Sequence, residues 1–168
     1  YLVTGTVASV VPRLFHLTPI TDLISIITEQ LMGPLHMCRA VMPYLREQNG
    51  GAIVNIASDA GKATTPGESV IGAAMAGIIM FTRTLAMEAK RTGIRVNVIT
   101  PSLIEGTISY HRTMDDEFSN KLFSKAVTMA HLGLTQPQDL ADLIVFLCGP
   151  QGARITGQAI SVNGGISA

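Results

Sequence analysis

Apolar positions along the chain fall into two patterns. Short unbroken runs close on glycine, proline or asparagine: YLVTG (1–5), AIVNI (52–56), IRVNVI (94–99) and AISV (159–162). Runs of this kind, bounded by turn formers, predict buried strands. Longer stretches between them carry apolar residues at helical spacing. Thr18 and Pro19 suit a helix start, threonine as cap and proline in the first turn. That helix is expected to reach about Leu45, with bends or breaks at Gly33-Pro34 and Pro43. A second long helix is expected over 68–91, stopped at Gly93, and a third over 138–147. A loop with Pro12 should follow the first strand. A glycine-, threonine- and proline-rich loop should fill 58–67, and a polar loop with a short helix should fill 102–120. Strands alternating with helices, and few charges in the strands, predict an α/β fold: a doubly wound, Rossmann-like parallel sheet covered on both faces.

Composition narrows the function classes. The 168 residues are 47% hydrophobic and 14% charged, and Lys+Arg balances Asp+Glu at 12 each. No basic run exists, so neither nucleic acid nor an anionic membrane surface is expected as a partner. The apolar run LIVFLC (143–148) is far short of the roughly 20 residues that span a bilayer. So apolar a composition favours an oligomer that hides part of the surface. Cys38 and Cys148 sit in apolar helical contexts and read as buried free thiols of a reducing, cytoplasmic compartment. His16, His36, His111 and His131 lack metal-ligand spacing, so no metal is expected. The carboxylate cluster Asp115-Asp116-Glu117 reads as a solvated loop or a helix N-terminus.

Three segments in order, GGAIVNIASDAG (50–61), GIRVNVITPS (93–102) and ITGQAISVNGG (155–165), together resemble the short-chain dehydrogenase/reductase family. The resemblance covers nearly all of 1–168 and implies a single dehydrogenase-like domain, the C-terminal two-thirds of the family fold. The first mononucleotide-binding half, with its glycine-rich phosphate turn, is absent from these residues. Neither G-x-x-x-G-x-G nor G-x-G-x-x-G occurs anywhere. The chain is expected to open at the family's fourth strand, although LVTG (2–5) also resembles its first.

The resemblance implies a relay of asparagine, serine, tyrosine and lysine. Ser58 stands at the serine. Gln30, in Q-L-M-G (30–33), stands at the asparagine, Ile71 at the tyrosine and Met75 at the lysine. No shifted frame restores the pair. The three tyrosines, Tyr1, Tyr44 and Tyr110, are followed four residues on by Gly5, Gln48 and Met114. A tyrosine whose pKa is drawn down by a nearby ammonium protonates the alkoxide formed by hydride transfer, and isoleucine and methionine cannot. Ile71 and Met75 read as packing residues of a buried helix. By resemblance, Pro101, Ser102, Ile104 and Thr107 are the candidate cofactor contacts, with Ser102 where the family has glycine.

These substitutions lead to an expectation of a non-catalytic subunit. It would bind no cofactor itself and would complete a related active subunit that holds NAD, acting on a hydroxyacyl-CoA intermediate of aromatic degradation. Association, with that subunit or with further copies, is expected through helices 19–45 and 68–91 and the 138–165 segment, where Gly72, Ala73, Ala74, Ala76 and Gly77 would allow close backbone approach. Two alternatives are an enzyme of different chemistry, with an apolar pocket around Ser58 and a base such as His111 or His131, and a nucleotide-sensing module.

Overall fold

The structure is a computed structural model that describes residues 1–6 and 9–167. Part of the loop expected before Pro12 lies outside them. Four parallel strands form one sheet in the order β1 (Leu2–Thr4), β2 (Gly51–Ile56), β3 (Ile94–Pro101) and β4 (Ala159–Val162). The registers pair Val3 with Val54, Val54 with Asn97, and Ile99 with Ile160.

Helices cover both faces because each strand is apolar on both. On one face Ile53, Ile94 and Val96 pack with Cys38 and Leu45 of α2 (Gly33–Glu47) and Ala86 and Ala89 of α3 (Ser69–Ala89). On the other, Val54 and Ile99 pack with Leu140 and Leu147 of α6 (Pro137–Cys148). The polar strand residues are all satisfied. Asn55, fully buried, accepts from Thr4 Oγ1 at 2.7 Å and donates to Thr82 Oγ1 at 2.8 Å. Asn97 donates to the Ile155 carbonyl and accepts from Gln158 N, fixing the segment that leads into β4. The guanidinium of Arg95 donates to the carbonyls of Leu147, Cys148, Gly149 and Gly152, closing the C-terminal end of α6.

Several expected elements are redrawn. The helix expected over 18–45 is α1 (Ile20–Ile27), a π-helical turn (Thr28–Met32) and α2. The interruption falls ahead of Gly33-Pro34, and Pro43 sits inside α2 without ending it. The region 102–120, expected as a polar loop with a short helix, holds the short α4 (Ile108–Asp115) and the start of a second helix, α5 (Glu117–Met129). Asp116 caps α5 by accepting from Ser119 N at 2.9 Å, and these backbone bonds hold its carboxyl below the usual range. Cys148 is only partly buried. The segment Ser69–Thr92 is long and apolar enough to cross a membrane by length and composition, a candidate that run 143–148 did not reveal. In this fold it lies on β3, with Ala74, Ile78 and Thr82 inaccessible.

Candidate active site

The carboxyl ends of β2 and β3 open onto a cavity of about 290 Å³. In open parallel sheets this edge is where ligands bind. β2 runs into Ala57 and Ser58, and Ala57 N donates to the Ile99 carbonyl at 2.9 Å, so both strand ends are tied. Ser58 is extended (φ −149°, ψ 156°) and caps a 3-10 turn, Asp59–Gly61, its Oγ accepting from Ala60 N at 3.2 Å. That leaves the hydroxyl proton of Ser58 for a ligand. The turn lies directly on α3. A Cβ on Gly61 would come within 2.8 Å of Ala76 N, and one on Gly72 within 2.7 Å of the Ala60 carbonyl oxygen. Gly72 thus serves contact within the chain. Gly77 faces Leu31 in the same way, while Ala73 and Ala76 are exposed.

The residues singled out from the sequence all meet here. Gln30, Ser58, Ile71, Met75, Pro101, Ser102, Ile104 and Thr107 line the one cavity. Met75 is buried with Ala57, Ile78, Ile79 and Val98, and Ile71 packs on the same cluster, so both wall the cavity with hydrocarbon. Thr107 is spent locally: its hydroxyl donates to the Ile104 carbonyl at 2.8 Å and accepts from Tyr110 N, capping α4. His111 and His131 are not among the lining residues, so neither stands as a base for Ser58. No group of metal-binding side chains exists among the described residues.

Two features escape a reading of the sequence. Gln30 lies in the π-helical turn, 2% exposed, and its Nε2 has no hydrogen-bond partner among the described residues. A buried, unpaired amide costs about 1–3 kcal/mol, and π turns gather at functional sites. Glu68 is the second. It precedes α3, lines the cavity, and its side chain bonds Thr65 instead of capping the helix. Burial pushes its carboxyl up to about 7, against the opposing effect of the Thr65 bond. The other cavity carboxylate, Asp59, is fully engaged: Asn163 Nδ2, Ser167 Oγ and Ser161 Oγ donate to it, and Lys62 Nζ lies 3.9 Å away.

Comparison with known proteins agrees with this geometry. A family model described as enoyl-(acyl carrier protein) reductase matches residues 4–167. The 3-oxoacyl-(acyl-carrier-protein) reductase FabG of Thermotoga maritima is 32% identical over 143 residues, covering 84% of this chain and 56% of that protein. The chain therefore spans little more than half the length of that relative. Among solved structures, 7α-hydroxysteroid dehydrogenase with NADH and 7-oxo glycochenodeoxycholic acid has a TM-score of 0.86 at 26% identity, covering 98% of this chain and 62% of its own. The 3-ketoacyl-(acyl-carrier-protein) reductase of Brucella melitensis with NADH has a TM-score of 0.81 at 25% identity, covering 99% and 65%. These relatives are named as working reductases and dehydrogenases, which overturns the expectation of a non-catalytic subunit in aromatic degradation. Neighbours that hold NADH also leave the expectation of a cofactor-free chain without support. Ordered motifs, parallel topology and the match over residues 4–167 lead to one statement of kinship: the chain belongs to the short-chain dehydrogenase/reductase family.

Proposed function

We propose that the chain carries the substrate-reducing site of a nicotinamide-dependent carbonyl reductase, with 3-oxoacyl thioesters as the substrate class. The observation that carries this reading is the convergence of Ser58, Gln30 and the segment after β3 on one cavity at the carboxyl edge of the sheet. The 3-oxoacyl reductases among its relatives support the substrate class.

The residues present fit the nicotinamide end of a dinucleotide. The cavity lies at the strand ends, and the unpaired Gln30 amide supports a polar guest at its wall. Pro101, Ser102, Ile104 and Thr107 would border that ring, and no residue here is assigned to the pyrophosphate. When bound, a reduced nicotinamide supplies a hydride. The chain's own residues do the rest. Ser58 donates its free hydroxyl proton as a hydrogen bond to the substrate carbonyl oxygen, where charge develops. Gln30 Nε2 offers a second donor in the same wall. Ile71 and Met75 exclude water, which strengthens both bonds.

The same reading keeps the protein in a reducing cytoplasm, where free Cys38 and Cys148 are stable. It also has copies meet through α2 and α3, where Met37, Tyr44, Met80 and Met87 are 53–66% exposed.

The test is reduction of acetoacetyl-CoA by the whole protein with NADPH or NADH. Ser58→Ala is expected to lower kcat/KM by about 10²-fold with the fold intact, the effect of removing one donor to a developing oxyanion. A well-folded whole protein that reduces neither acetoacetyl-CoA nor simple ketones would overturn the reading.

A further inference from the structure

We propose that Glu68 is the proton donor of this site: its carboxyl passes a proton to the carbonyl oxygen of the bound ketone, taking over the role for which Ile71 has no chemistry. This inference rests on the reductase reading above.

Position comes first. Residues 68, 71 and 75 are spaced i, i+3, i+7, so they share one face where the chain enters α3. All three line the cavity that Ser58 lines. The acid therefore sits one turn before the lost phenol, on the same wall. Elimination comes next. The ionisable groups on the cavity are Glu68, Asp59 and Arg112. Asp59 accepts from three side chains and faces Lys62, so its oxygens are engaged within the fold and turned to no guest. Arg112 of α4 is cationic throughout the working range and is no acid there. The Glu68 side chain bonds Thr65, which leaves it on the cavity wall. Chemical fitness is the third argument. A carboxyl of ordinary strength is ionised at neutral pH. Burial lifts this one into the range where an acid is both protonated and able to let go.

The step balances. As the carbonyl carbon takes hydride from a reduced nicotinamide, the O–H bond of Glu68 breaks and a new O–H bond forms on the substrate oxygen. The products are an alcohol, the oxidised nicotinamide and the Glu68 carboxylate, which regains its proton from water. Thr65 is a positioning residue. Its bond favours the ionised carboxylate, so removing it should weaken the acid further.

The experiment uses the whole protein with acetoacetyl-CoA and NADPH. The pH profile of kcat/KM is compared for wild type, Glu68→Gln, Glu68→Asp and Thr65→Val. Wild type is expected to lose activity above about pH 7. Glu68→Gln should fall by about 10²-fold and lose that limb, the usual worth of a general acid. Glu68→Asp should keep the limb at reduced rate, and Thr65→Val should move it upward. A readout independent of turnover is the ¹³C carboxyl resonance of Glu68, assigned by its loss in Glu68→Gln. It should titrate near 7 and shift when acetoacetyl-CoA is added without cofactor. Active Glu68→Gln with the wild-type limb would overturn this proposal and leave the reductase reading standing. A Glu68 resonance that titrates near 4.5 would overturn it as well. An inactive wild type whose Glu68 titrates near 7 would overturn the reductase reading instead.

Discussion

Glu68 should make this protein less stable as pH rises, and replacing it by glutamine should remove the effect. Burial lifts its carboxyl from 4.5 to about 7 in the folded chain, while the unfolded chain keeps the ordinary value. Between those two values the folded state holds a proton that the unfolded state has released. Stability therefore falls as pH climbs through that window and levels off above about 7. At about 1.4 kcal/mol per pH unit the ceiling is near 3 kcal/mol. Glu68 is half-buried, and solvent reaching one side cuts the expected loss to about 1–2 kcal/mol. Urea midpoints measured from about pH 5 to about pH 8 for wild type and Glu68→Gln give the difference directly. The two chains share every other titrating group, including Asp116, so those contributions cancel. The variant should gain about 1–2 kcal/mol on wild type across the window. Parallel curves would show that the carboxyl is solvated, and the dry-wall argument would fail with it.

Three further outcomes follow from the packing. Arg95→Met keeps the apolar stem but strips four carbonyls at the end of α6 of their donor, and should cost about 2–3 kcal/mol, read as a Tm drop of about 5–10 °C in calorimetry. Cys38 is 1% exposed and burial pushes its thiol up to about 11, so at pH 8 it should resist a thiol-labelling reagent until the chain unfolds, while partly buried Cys148 labels first. Met80→Glu with Met87→Glu puts charge on the exposed face of α3 and should lower the mass seen by light scattering if copies meet there as proposed, whereas an unchanged mass would count against that face.

The strands were legible because burial on both faces leaves no room for polar alternation. AISV at 159–162 and AIVNI at 52–56 read directly as β4 and nearly all of β2. Polarity over 102–120 leaves room for one short helix and hides the second. No residue of α4 is buried, and α5 buries only Ser119 and Phe123, so neither shows a wide apolar stripe. The asparagines Asn55 and Asn97 look out of place in strands when read alone. Their partners, Thr4, Thr82 and the 155–158 segment, come from distant parts of the chain, and only tertiary structure supplies them. Pro43 was weighed as a breaker, yet α2 passes through it.

The site was legible in its positions and misread in its meaning. Sequence alone placed eight residues that the fold brings to one cavity. It also showed that the Tyr-x-x-x-Lys pair is gone, and from that loss it inferred a loss of chemistry. The inference assumed that the acid must stand where the family keeps it. A ketone oxygen needs a proton from within reach, whatever residue number supplies it. Hydrocarbon at 71 and 75 leaves that task to another group on the same cavity. In water Glu68 would be a spent carboxylate, too strong to serve as an acid at neutral pH. Burial in the folded chain holds it near 7. The same burial therefore makes the carboxyl fit for the proposed task. Restoring the pair by Ile71→Tyr with Met75→Lys should accordingly lower the pKa of Glu68, since a nearby ammonium favours its ionised form.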